Sequence, residues 1–396
     1  MAAESDARSA DPGRRNPAHP AFLELFFDLV YVFALISLAE KLAHELTWTG
    51  TAQTLVLLLA FTFIWALTAW AGDTLDRARS VIQVQFIGTT AASLLLAATV
   101  PDAYGSRGML FASTYLAIHL GSSLYLVMVV REPFLRGRSS RVLLWEAIAG
   151  IGWIGGALLG DTARLVLWAV AIGIEYAAAA LGWPVPGLGR SHSEEWRLAG
   201  ERLSERYRQF VIVALGVSIF AVAEAFSESD YTAPRVWALV VVFLIVVLMW
   251  RIYIYRAGEL LTDAITKSTR PSLLGQSAAV THLIMVAGIG GAAVTGKLVV
   301  DRPFGETTPP SWAAVILGGP ALFLFGRGVL DYTVFGRVSR SRLAGLVLLG
   351  VVAPATYLLP PLVVALLAMI VLALVAVANL LSTRLHPRTA APPALR

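Results

Sequence analysis

Glu24 and Asp28 stand four residues apart in the run Phe22-Leu-Glu-Leu-Phe-Phe-Asp-Leu-Val-Tyr-Val-Phe-Ala34, inside an apolar segment that continues to Ala43. On a helix that spacing puts both carboxylates on one face. Carboxylates are costly in hydrocarbon, so such groups face a bundle interior or a wet cavity. There they can replace hydration oxygens around a cation or change protonation in a low dielectric, so the chemistry they suit is the handling of ions or protons. Asp73 and Asp76 close the next apolar run, Glu205 and Arg208 open a later one, and Glu259 and Asp263 close the one after that. His282 lies inside a further run, where it is either a proton relay or a hydrogen-bonded core residue.

The elements that must position these groups are membrane helices. Of the 396 residues 57% are hydrophobic and only 14% charged, with a mean hydropathy of +0.71. Apolar runs of about 20 residues recur along the chain, the length that spans a bilayer. They predict helices over 21–43, 51–72, 81–100, 108–130, 142–160, 163–183, 205–226, 234–256, 272–296, 311–331, 342–359 and 361–383. Whether Pro360-Pro361 is a turn between two short helices or a kink in one long one decides between twelve and eleven spans. The polar start with Arg8, Arg14 and Arg15 leads directly into a first segment long enough to span, so no cleaved signal peptide is expected.

With twelve helices, the arginines of the tails and of every second loop fall on one side, and only Lys41, Arg107, Arg164, Arg235, Lys297 and Arg302 fall on the other. The positive-inside rule then places both termini in the cytoplasm. The basic residues therefore serve topology and not nucleic acid, despite a net charge of +5 and a pI near 9.6. Cysteine is absent, which removes disulfides, thiol catalysis and thiolate metal sites. Lysine is scarce beside abundant Arg, Ala, Gly and Val, a composition of GC-rich bacterial genomes, which suggests the bacterial plasma membrane.

A polar tail (1–20), a first six-helix half (21–183), a polar cytoplasmic loop (184–204), a second six-helix half (205–383) and a C-terminal tail (384–396) complete the organisation. Six helices is an even number, so a repeat would be parallel. Glu24-Leu-Phe-Phe-Asp-Leu-Val30 can be laid on Glu205-Arg-Tyr-Arg-Gln-Phe-Val211, and Ala71-Gly-Asp-Thr-Leu-Asp76 on Ala257-Gly-Glu-Leu-Leu-Thr-Asp263. The expected fold is an all-α polytopic membrane protein of about twelve transmembrane helices in two parallel six-helix repeats.

The chain resembles the bacterial low temperature requirement A family, whose first helix carries Glu-Leu-Phe-Phe-Asp-Leu-Val, here Glu24 to Val30. The resemblance extends to Trp65 and Trp70 ahead of Asp73 and Asp76, to Glu205-Arg-Tyr and the stretch up to Gly216, to His282–Ile289 and to Gly319–Gly326. Two positions depart from the family pattern. Arg202 stands where a His is usual and Val217 where a Glu is usual. The family is named for growth in the cold, so the resemblance implies topology more than a reaction.

Each group also has a structural reading. Glu24 and Glu205 suit first-turn positions by the helix dipole, and Asp28 with Arg208 could be an ion pair that fixes two helices. Asp28 lies deeper than Glu24 and Glu205, about 10 Å into its segment at 1.5 Å per residue and flanked by Phe27 and Tyr31, which favours a functional role. Glu40 and Glu224 are read as interfacial, Glu146 and Glu175 as secondary candidates, and Asp331 with Arg327 as an internal pair. The six histidines have no metal-ligand spacing, and His192 beside Glu194 and Glu195 is a weak metal signal, so neither metal nor cofactor is expected. Trp48, Trp70, Trp168, Trp183, Trp237, Trp250 and Trp312 read as an interfacial belt, and Gly150–Gly156 and Gly288–Gly291 as close helix packing.

The leading expectation is a transporter or channel for a small cation or a proton-coupled solute. Its pathway would run past Asp28, Glu24, Asp73, Asp76, Glu205, Arg208 and His282, with the bilayer as surroundings and no enzymatic role. The alternatives are a non-transporting scaffold or cold-stress sensor and, more remotely, an intramembrane hydrolase with Ser218 and His282.

Overall fold

The computed structural model describes residues 22–74, 80–191, 195–254, 271–304 and 307–385. Its α-helices are α1 (Phe22–His44), α2 (Trp48–Thr74), α3 (Ser80–Thr99), α4 (Gly108–Val129), α5 (Pro133–Leu159), α6 (Asp161–Ala180), α7 (Glu195–Ser227), α8 (Ala233–Ile254), α9 (Pro271–Asp301), α10 (Pro310–Phe335), α11 (Arg340–Val352) and α12 (Pro361–Leu385). Short 3-10 turns follow α3 and α11. No strand occurs among the described residues, which hold a single isolated bridge, Val185 to Gly189.

Eleven helices, α2 to α12 with α11 extended through its 3-10 turn, are long and apolar enough to cross a membrane. The protein is a polytopic membrane protein. α1 has 23 residues, about 34 Å at 1.5 Å each, also enough to cross a hydrocarbon core of about 30 Å. It packs against α2, α3, α7 and α9. The outer surface presents Leu29, Ile151, Leu158, Phe220, Val347 and Leu374 to the surroundings, as lipid contact requires.

Pro360-Pro361 is a turn. The 3-10 segment Ala353–Leu358 ends α11, Thr308 N–H donates to Leu359 O (2.9 Å), and Leu362 N–H donates to Pro303 O (3.2 Å). These bonds tie the α11–α12 turn to the chain between α9 and α10.

Three differences from the sequence reading share a cause. α5 starts at Pro133 and α7 at Glu195, well before the expected 142 and 205, so the loop placed at 184–204 is helical from Glu195. Apolarity marks where a helix enters the membrane, and strong helix formers such as Arg, Leu, Ala and Glu continue it into water. Proline at the first position of α5 suits a helix start. Trp168 and Trp183 are buried rather than interfacial. The indole of Trp168 donates to Trp153 O (2.9 Å) and stacks with Phe111, whereas Trp48, Trp237 and Trp250 are exposed as a belt requires.

Close helix packing occurs where the glycines sit. A Cβ on Gly288 would come 2.6 Å from Gly319 O and from Phe323 N, so α9 and α10 meet backbone to backbone. Pro320 is accommodated inside α10 beside this contact. Between α6 and α7 the chain is docked on α5: Arg141 donates to Leu188 O (3.2 Å) and Ser191 Oγ (3.1 Å), and the Trp145 indole to Pro184 O (3.0 Å).

Candidate functional site

Asp28 lies on the face of α1 turned toward α2 and α7, where it is 3% exposed. Phe27 and Tyr31, its neighbours along that side of the helix, are fully buried. The Tyr31 hydroxyl donates to Phe61 O (3.0 Å), and its ring meets Phe61 and Phe210 edge-on, so α1 is held in one rotation against α2 and α7. That rotation brings the carboxylate to Arg206. Nη1 donates to Oδ2 (3.0 Å) and Nη2 to Oδ1 (3.2 Å), a two-pronged pair in which Arg206 is 2% exposed. The Trp65 indole donates to Oδ1 as well (3.0 Å). Trp65 stacks on Phe210 at 4.5 Å, and the Arg206 guanidinium lies 5.4 Å from the Trp65 ring centre. Three helices thus converge on one carboxylate, and the planar guanidinium suits two-pronged recognition.

The partner is not the one the sequence suggested. Arg208 pairs with Glu205 on its own helix, and both are half-exposed. Arg206 and Arg208 are two residues apart, about 200° around a helix, so only one of them can face α1. Glu24 and Asp73 lie in the helical backbone of α1 and α2, with side chains outside the described residues, as are Asp76, Glu259 and Asp263 altogether. His192 and Glu194 are outside them too, and among the described residues no group of three ligating side chains could hold a metal ion.

His282 is not brought to Asp28. Its Nδ1–H donates to Ala278 O (2.6 Å), which leaves Nε2 to accept from the Tyr253 hydroxyl (3.1 Å). Both ring nitrogens are satisfied in the neutral form, and the ring stacks on Tyr207 at 4.9 Å. Ser218 donates to Ile289 O (2.9 Å), seven residues beyond His282 on α9 and about 10 Å along it. The hydroxyl is engaged by backbone, in the manner of a helix-interface serine.

Beside the Asp28 pair a cavity of about 360 Å³ lies between α1 and α7, open to the outer surface that Leu29 also forms. Leu25, Phe26, Leu29, Ile212 and Val213 line it, with Asp28 and Gln209 as its polar members. Gln209 Oε1 is buried without a hydrogen-bond partner. An apolar cavity with a few convergent polar groups is the usual form of a binding site. At the far end of the same helices, Lys297 of α9 reaches Glu40 of α1 (3.1 Å) and Glu224 of α7 (3.6 Å). A partly exposed ionic contact thus joins α1 and α7 at the end opposite the Asp28 pair.

The model of the bacterial low temperature requirement A protein matches residues 20–377, which takes in α1, α7, the cavity between them and most of α12. The chain belongs to the low temperature requirement A family. It is 31% identical over 309 residues to the uncharacterized protein RA0937 of Rhizobium meliloti (strain 1021), a match covering 77% of this chain and 75% of that one. No solved structure matches. Within this low temperature requirement A chain the motif Glu24–Val30 has a physical basis in part. Phe27, Asp28 and Val30 are its buried residues on α1, while Leu25, Phe26 and Leu29 line the cavity.

Other buried charges were legible only as pairs or as isolated residues. Asp331 meets both Arg327 and Arg342, and all three are buried. Glu146 and Glu175 face Tyr115 and His119, two residues one helical turn apart on α4 that the sequence gave no reason to join to them. Arg206 and Trp65 were the other misses. Trp65 lies among apolar residues in its span, where a polar group needs a partner, whereas Arg206 stands in the polar opening Glu205–Gln209 of its span and had no local signal.

Proposed function

We propose that this protein is a transporter or channel for a small cation or a proton-coupled solute in the bacterial plasma membrane, with both termini in the cytoplasm. The observation that carries the reading is the α1–α7 cavity, where the Asp28 carboxylate and the unpartnered Gln209 oxygen lie within an otherwise apolar wall. In this reading a cationic group enters the cavity and competes with Arg206 for Asp28. Exchange of one cation for another at a fixed carboxylate keeps the buried charge balanced at every step. The first helix of each six-helix half supplies one wall, so relative motion of α1 and α7 changes access to the carboxylate.

The test is flux of protons, potassium and sodium into proteoliposomes of the purified protein. Asp28→Asn alone breaks the charge balance of the buried pair, so the matched control is the Asp28→Asn, Arg206→Gln double variant, in which both charges are removed. Flux in the wild type that disappears in the folded double variant supports the reading. Flux that survives in it would overturn the assignment to Asp28.

A second reading, a non-transporting scaffold or bilayer sensor, is favoured by the close fit of Asp28 to Arg206 and Trp65. It predicts no flux under any gradient and full biological activity in the folded double variant.

A further inference from the structure

A second polar centre lies in the first six helices, built by α4, α5 and α6. Tyr115 and His119 stand at i and i+4 on α4 with ring centres 4.3 Å apart. The Tyr115 hydroxyl donates to Glu175 Oε2 of α6 (2.7 Å), and His119 Nδ1 lies 3.1 Å from Glu146 Oε1 of α5, a hydrogen bond that holds one proton between them. His119, Glu146 and Glu175 are 2%, 1% and 0% exposed. His119 Nε2 and Glu146 Oε2 still have no hydrogen-bond partner, while Glu175 also faces the Trp153 indole N–H. Buried polar atoms are nearly always paired, so two in one hydrogen-bonded pair is a departure that points to a function.

The same cluster borders a cavity of about 50 Å³, lined by His119 and Glu146 together with Gln85, Ser122, Ser123 and Arg138. A cavity needs only about 10–15 Å³ to hold a water when its walls are polar, so this one has room for several. Arg138 is held with its guanidinium 3.0 Å from the centre of the Trp70 ring. A proton can pass along water and the hydroxyl groups of Ser122 and Ser123 in such a cavity. Of the other elements at the site, α6 brings Tyr176 beside Glu175, and α2 and α3 contribute Thr68, Trp70 and Gln85, none of which titrates.

We propose that His119 and Glu146 form a proton-loading site, with Glu175 and Tyr115 as its second station, and that the proton is the ion this protein couples to. The inference deepens the transport reading and rests on it only for the word coupling. Loading begins with neutral His119 carrying its proton on Nδ1 and Glu146 ionised. A proton from water in the cavity adds to Nε2, and the Nδ1 proton passes to Glu146 Oε1. The ring is neutral again, now protonated on Nε2, the carboxyl is neutral, and the site has gained one positive charge. Glu175 Oε1 is the second acceptor.

The experiment is infrared difference spectroscopy of the full chain in lipid nanodiscs across a pH titration, reading the carbonyl stretch of protonated carboxylic acids. The expected result is a band that grows as pH falls, is lost in Glu146→Gln and shifts its midpoint by about one pH unit or more in His119→Gln. Glu175→Gln is expected to remove a separate component. A band unchanged in folded Glu146→Gln and Glu175→Gln would overturn the site, as would its absence from the wild type at every pH. Should Glu146→Gln not fold, His119→Gln decides alone, since an unshifted midpoint contradicts the shared proton. Titration without any flux in proteoliposomes would keep the proton site and remove transport. Proton-driven flux with no titrating band would do the reverse.

Discussion

The Asp28 pair and the His119 centre are both buried, both polar and both built from three helices, yet they differ in how their atoms are used. At Asp28 the two carboxylate oxygens accept three hydrogen bonds, two of them from a guanidinium of opposite charge. At His119 the imidazole and the Glu146 carboxyl share one hydrogen bond and leave His119 Nε2 and Glu146 Oε2 unmet beside a cavity with room for water. A buried pair with matched charge and geometry fixes helices, because removing either partner strands the other. A cluster with spare acceptors and a wet wall can change its proton count without breaking the contacts around it. The difference separates a centre of matched charge, where an entering cation must displace Arg206, from one that can change its proton count with its contacts in place.

The sharpest way to break this comparison is to remove charge at each centre and compare stability. Asp28→Asn removes the two-pronged carboxylate that the buried Arg206 guanidinium meets, and breaking such a pair costs about 3–5 kcal/mol. Thermal unfolding in detergent micelles should show a large loss for Asp28→Asn. Most of it should return in the Asp28→Asn, Arg206→Gln double variant, since neighbouring partners are strongly non-additive. A loss below about 1 kcal/mol in the single variant would mean that the pair fixes nothing.

Glu146→Gln is the corresponding change at the other centre, with a smaller expected effect. The amide keeps the shape of the acid and can still bond to His119 Nδ1, and Oε2 of Glu146 has no partner to lose. The expected change is about 1 kcal/mol or less, the worth of one ordinary hydrogen bond. If Glu146→Gln unfolds the protein as readily as Asp28→Asn, the two centres are alike and the cluster is structural.

The sequence allowed the bundle to be read far better than the centres inside it. Apolar runs between charged and Gly/Pro breaks place twelve helices because a span must be apolar over about 20 residues. They misplace the starts of α5 and α7 because helix continues where apolarity stops. Asp28 stood out as an acid deep in an apolar run, but its partner depends on the rotation of α7, which decides between Arg206 and Arg208 and has no local signature. The His119 centre was harder still. Glu146 is 27 residues from His119, and Glu175 is 60 from Tyr115, so only packed helices join them. Gly288 was legible in its role because a missing side chain within a span is itself a local mark of close approach.

The smallest expected effect sharpens the comparison from outside. Lys297 joins the same two helices as the Asp28 pair, through Glu40 and Glu224, but its side chain is 21% exposed and the two carboxylates are 34% and 49% exposed. Partly solvated ion pairs are worth roughly 0–1 kcal/mol, because water and salt already screen the charges. Lys297→Gln should therefore lower stability by no more than about that amount, and the loss should shrink as salt is raised. The effect at Asp28 should hardly respond to salt, since buried pairs are screened much less. A loss at Lys297 as large as that at Asp28 would show that α1 and α7 are held by the number of ionic contacts between them. The expected contrast would show that burial decides, and that the two helices are anchored at the Asp28 end and free to part slightly at the other.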